Sequence, residues 1–120
     1  MTSCSPRRSG DRILLVKGIP IEATALIARE KVAELRRRGY AETFLARAQG
    51  YLYDPGISVV AAARLAAEHP GVHAMHDPTE GGLASGLHEV ATASVAGVRL
   101  DADRVPVLPE GAQLCAEFGL

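Results

Sequence analysis

The stretch His73–Leu87 reads H-A-M-H-D-P-T-E-G-G-L-A-S-G-L. Here an apolar run gives way, across Asp77-Pro78-Thr79-Glu80, to a helical pattern. That pattern carries Gly81 and Gly82 in its first turn and Gly86 one turn on. Glycine in a helix costs about 1 kcal/mol against alanine, so these three positions need a reason. Two are open from spacing alone. Gly81, Gly82 and Gly86, with Ala84 and Ser85, would form a small-residue surface on which another element packs closely. Alternatively, Gly81 and Gly82 leave their N–H groups bare at the positive end of a helix, where an anion can reach the backbone. Asp77 can serve as N-cap with Pro78 at N1 and Glu80 closing a capping box. Thr79 is the alternative N-cap. The Glu80 carboxylate would repel an anion unless a metal or the capping box engages it.

Working outward from this stretch, Val72–His76 reads as a short strand, set off by His69-Pro70-Gly71. Pro78–Ala93 reads as a helix with Leu83, Leu87, Val90 and Ala91 on one face. Ile57–Glu68 is apolar nearly all round, which predicts a helix sandwiched between layers. Upstream, Asp11–Gly18 is a compact aliphatic run ended by glycine, a buried strand. After Pro20 the residues Ile21, Ala25, Ala28, Val32 and Leu35 share one helical face. Arg36, Arg37 and Arg38 crowd its end, with Gly39 as the stop. Ala41–Leu52 is weakly helical, with Phe44, Leu45 and Ala48 inward, and Asp54-Pro55-Gly56 marks a turn. Downstream, Gly97–Asp101 reads as a strand and Pro109–Phe118 as a final helix. Strands alternating with helices predict an α/β (α+β) fold, a mixed β-sheet flanked by helices. Residues 1–10 read as a flexible lead-in and 11–120 as one domain.

The 120 residues hold 13 basic and 14 acidic side chains, which argues against a nucleic-acid module held by bulk electrostatics. Aromatics make up 4% of the chain and tryptophan is absent, so the core must be aliphatic. No apolar run reaches the length of a membrane span, and no signal peptide follows the basic N-terminus. Cys4 and Cys115 read as free thiols of a reducing, cytoplasmic compartment. His73, His76, Asp77 and His88 do not meet the needs of one zinc site. His73 and His76 alternate faces in a strand, and His88 lies about 16 Å along a helix from Asp77. His76, beside the cap, is either a cleft residue or a hydrogen-bonded strand-end histidine. Lys17, at a strand's end, can reach a cleft. Cys115 falls on an apolar helix face, as a packed thiol does.

D-P-T-E-G-G-L-A, followed by L-H-E-V-A, resembles the C-terminal domain signature of the PurM-like ATP-dependent enzymes. This superfamily includes aminoimidazole ribonucleotide synthetase, selenophosphate synthetase and the hydrogenase maturation factor HypE. The resemblance is strongest to HypE and the AIR synthase-related proteins. It extends through G-D-R-I-L-L-V-K-G-I-P-I-E-A-T-A (Gly10–Ala25), D-P-G-I-S-V-V, G-V-R-L-D-A-D and P-E-G-A-Q-L-C-A-E-F-G-L. Glu80 stands where HypE often carries arginine.

The resemblance implies a mixed sheet flanked by helices, shortened at its C-terminal end, whose glycine-rich helix start faces an active-site cleft. It implies a phosphate- or substrate-binding set of His76, Asp77, Thr79, Gly81, Gly82 and Lys17. Thr79 would offer its hydroxyl to a phosphate oxygen. No catalytic residue and no metal ligand is expected in this segment. ATP and Mg²⁺ belong to the full-length enzyme, in an N-terminal ATP-binding domain that also makes a homodimer. The ligand is a phosphate-bearing small molecule; nucleic acid and membrane are not expected partners. This domain alone would be inactive. A non-catalytic module that binds a nucleotide or a partner through the same cleft is the alternative. A purely associative domain that dimerises through sheet edges is a third reading.

Overall fold

A computed structural model describes residues 10–120; most of the segment 1–10 expected as a lead-in, Cys4 included, lies outside the described residues. The chain divides into two units. Among the described residues, one comprises Val59–Ala102 together with residues 10–14, and the other comprises Leu15–Ser58 and Asp103–Leu120.

The second unit holds the core. Its helices are α1 (Glu22–Glu30), α2 (Val32–Arg37), α3 (Glu42–Gly50) and α6 (Pro109–Glu117). The helical face read from Ile21 to Leu35 is real, but Lys31, at φ −105° and ψ 16°, splits it into α1 and α2. Ala28, Leu35, Leu45, Ala48 and Leu114 form the buried cluster, with Ile27, Val32, Tyr40, Phe44 and Phe118 packed against it. α1 packs on both α3 and α6, and the core is aliphatic, as the composition requires. Gly39 ends α2 with φ +88°. Its N–H bonds Arg36 O, and Tyr40 N–H reaches back to Leu35 O, satisfying the last carbonyls. Pro109 occupies the first turn of α6.

Two tyrosine–glutamate–arginine clusters fasten α6. Tyr51 Oη donates to Glu110 Oε2 at 2.5 Å, and Arg47 Nε lies 3.1 Å from Glu110 Oε1. Two turns along, Glu117 accepts from Tyr40 Oη at 2.8 Å and pairs with Arg38, which also pairs with Glu34. Arg38 lies over the Phe118 ring at 5.2 Å. Arg36 bonds both oxygens of Glu42, so this basic helix end is paired rather than merely solvated.

The first unit contains α4 (Val60–Glu68) and α5 (Gly82–Ser94). The sandwiched helix expected over Ile57–Glu68 is not found: α4 starts at Val60 and none of its residues is buried. Leu65 is 71% exposed. All-round apolarity there comes largely from alanine, which needs no cover.

The mixed β-sheet is also not found. Among the described residues there is no strand, and the one parallel bridge joins Ile19 to Val107. The runs expected as strands carry exposed apolar side chains, including Leu14 at 85% and Val16, Met75 and Leu100 near half. Two causes are local. Lys17 and Gly18 take φ +70° and +108°, which turns the first run out of the extended region. In the second, His73 Nδ1 bonds Asp11 and His76 Nε2 bonds Glu89, so side chains rather than a ladder hold it. The third run, Gly97–Asp101, is not assigned as a strand.

Candidate functional site

The segment His76–Gly82 lies wholly in the first unit. The expected capping box does not form. α5 starts at Gly82, four residues later than the pattern predicts, with Gly81 as N-cap in the left-handed conformation. No side chain caps it, so neither Asp77 nor Thr79 serves as N-cap. The reason is the backbone: Gly81 (φ +76°) and Gly82 (φ +62°) place two successive residues where other side chains are strained. Asp77-Pro78-Thr79-Glu80 is therefore loop. Gly82 N–H bonds Thr79 O at 3.3 Å and closes it.

Gly81 and Gly82 are exposed, as are Asp77, Thr79 and Glu80. A Cβ on Gly82 would meet nothing within 4 Å, so the space above its backbone is open. A Cβ on Gly81 would run into the Ser85 hydroxyl, which lies over that residue. Beyond Gly82, whose N–H is taken by Thr79 O, the first-turn N–H groups have no intrahelical partner. Glu80, not engaged by a capping box, keeps an exposed carboxylate two residues before this start and works against an anion. Gly86 serves the other purpose. It is buried, and a Cβ there would meet Pro78 Cβ at 2.7 Å. The close-packing reading holds at Gly86, which lets the loop pack on α5, while Gly82 stands open.

His76 is held at the loop's entrance. Its Nε2 lies 2.5 Å from Glu89 Oε2, two turns into α5, and its ring is about one-third exposed. Sequence reasoning missed Glu89, and it read Ser85 only as a small residue, not as the hydroxyl over Gly81. Ser85 was accessible to an i, i+4 argument from Gly81; Glu89 had no spacing rule linking it to His76. Lys17 lies in the other unit. Its Nζ donates to Gly56 O and Ser58 O, each at 2.8 Å. Among the described residues no three His, Cys, Asp or Glu side chains gather to hold a metal ion. No helix of the described residues is long and apolar enough to cross a membrane.

Residues 8–118 match the family model of the AIR synthase related protein, C-terminal domain. The chain belongs to this family. Over 113 residues it is 32% identical to the carbamoyl dehydratase HypE of Cupriavidus necator, covering 94% of this chain and 29% of that protein. Over 118 residues it is 30% identical to the carbamoyl dehydratase HypE of Bradyrhizobium diazoefficiens, covering 98% of this chain and 31% of that protein. A putative hydrogenase expression/formation protein of Methanocaldococcus jannaschii shares 41% identity over 49 residues, 41% of this chain and 15% of that one. The chain thus spans under a third of the length of these HypE relatives. No solved structure matches it. As an AIR synthase-related C-terminal domain of the HypE-like kind, the chain contains the D-P-T-E-G-G-L stretch within the matched region.

Proposed function

We propose that this AIR synthase-related domain contributes an oxyanion-binding helix start to a HypE-like, ATP-dependent enzyme. The observation that carries the reading is the exposed, uncapped start of α5 at Gly81 and Gly82. Gly82 N–H is held by Thr79 O, so the donors on offer are the first-turn N–H groups beyond it, which with the positive end of a 13-residue helix favour a phosphate there. Thr79 adds a hydroxyl at the same loop, and His76, fixed by Glu89, adds an imidazole at its entrance. Asp77 shapes the turn. Lys17 has two of its three ammonium donors on carbonyls of its own unit. The phosphate reading therefore rests on the first unit alone.

The relatives' names state carbamoyl dehydration, and we extend that activity to the whole protein of which this domain is part. ATP would supply the phosphoryl group that turns a carbamoyl oxygen into a leaving group. The residues of this chain bind and orient phosphate oxygens. The bare helix start fits a phosphate. Mg²⁺ asks for several oxygen ligands, which the described residues do not gather. The metal is assigned to an N-terminal ATP-binding domain, together with the dimer contacts. On this reading the domain alone is inactive and works in the cytoplasm.

The test compares ATP affinity of the whole protein with that of its Gly82→Ala variant by calorimetry. The open space at Gly82 admits the methyl group, so loss of ATP affinity with an unchanged fold supports the reading. Equal affinities in the two proteins contradict it.

A further inference from the structure

The chain passes between the two units at three places: 14–15, 58–59 and 102–103. Within the second unit these crossings are bonded to one another a few residues inside. Lys17, after the first, donates from Nζ to Gly56 O and Ser58 O, just before the second. Ile19 N–H donates to Pro106 O at 3.0 Å, and Leu108 N–H donates to Ile19 O at 2.6 Å, which ties the first crossing to the third.

The backbone is shaped for this. Lys17 is one of two non-glycine residues with positive φ among those described, a conformation costly for an ordinary side chain. Gly18 follows at φ +108°, and a Cβ there would lie 2.7 Å from Pro106 O. A strained lysine beside an obligatory glycine aims one side chain at the second crossing while the next peptide groups meet the third. Charge-assisted bonds to two carbonyls compensate the strain.

We infer that Lys17 is the pin of a collar that closes the second unit where the chain enters and leaves it, and that the three crossings open together. This does not depend on the phosphate reading. It makes Lys17 a positioning residue whose loss is felt beyond the groups it touches.

Amide hydrogen exchange on the full chain tests it. Asparagine tolerates positive φ but lacks the ammonium, so Lys17→Asn removes the pin without adding strain. Gly56 and Ile57 N–H bond Tyr51 and Leu52 carbonyls next to the pin, while Ile19 and Leu108 are its distant reporters. The collar predicts exchange faster by about tenfold at all four amides, with Leu35, Leu45 and Leu114 unchanged. Acceleration confined to Gly56 and Ile57, or none, overturns the inference. Wild-type exchange in rising denaturant gives a reading that does not depend on the variant folding. The four amides should share one opening curve below that of the core; separate curves refute the collar.

Discussion

Val95 is the residue whose chemistry fits its conformation least. It ends α5 in the left-handed region at φ +51°, and it is 96% exposed. Its N–H bonds Thr92 O, and Ala96 N–H bonds Ala91 O, a helix end that glycine usually occupies. A β-branched side chain is strained there and gains no burial in return. Val95→Gly should therefore stabilise the chain by about 1 kcal/mol, read as a higher thermal midpoint; a lower midpoint would contradict the stated strain. The glycines of the loop invert the case. Gly82→Ala adds only left-handed strain, about 1–2 kcal/mol. Gly81→Ala adds a collision with Ser85 as well, costing about 1–3 kcal/mol more. Denaturant unfolding of the two variants should rank them in that order.

Among the elements, α6 carries the most specific fastening. Tyr51 is pushed up to about 12, first by burial and then by its bond to Glu110. The Tyr51 bond holds the Glu110 carboxyl below its ordinary range, and Arg38 followed by Tyr40 does the same for Glu117. A carboxyl with a lowered folded pKa contributes its stability above the unfolded value and loses it as pH falls through the folded one. Unit-two stability should thus be full near neutrality and decline as pH drops below about 4.5, the ordinary carboxyl value. Glu110→Gln should flatten that decline. A raised tyrosine works oppositely: its contribution is complete below pH 10 and fades as pH climbs from there to about 12. Tyr51→Phe, which leaves Glu110 Oε2 without its tyrosine donor, should cost about 1–3 kcal/mol in chemical denaturation. A loss under 0.5 kcal/mol would show the bond to be idle.

The helices of this unit were legible because their signals are local. The Ile21–Leu35 face, the Gly39 stop and Pro109 at a helix start all lie within a few residues of what they specify. The strands were not legible in the same sense. An apolar run such as Ile13–Val16 announces extended backbone, but a sheet also needs a partner, which spacing along one segment does not encode. The positive φ of Lys17 was equally silent, since nothing marks a lysine for the left-handed region. At the candidate site, the bare glycine backbone at a helix start was readable from D-P-T-E-G-G, but the loop before it was not. The start of α5 was misplaced because both glycines adopt positive φ, which makes the Asp77-Pro78 start signal a loop.

At the scale of the molecule, the two units divide the labour. The second has a closed core and a buried Tyr51–Glu110 bond. In the first, Gly86 is the buried residue among those described from Val59 to Ala102, and the glycine-rich start stands open. Elements with few buried contacts are the ones that open at low free energy. Exchange protection should accordingly be higher throughout α1, α3 and α6 than in α4 and α5, and equal protection would contradict that division. Function is assigned to the less consolidated unit because its longest helix starts at exposed glycines with no side-chain cap.

That assignment is tested most directly by following the backbone amide resonances of this chain as inorganic phosphate is added. The account predicts saturable shifts centred on Gly81, Gly82, Leu83 and Ala84, weakened in Gly82→Ala. Amide signals at those four positions that stay in place while phosphate reaches high concentration, or that move no more than those of α3, would contradict it.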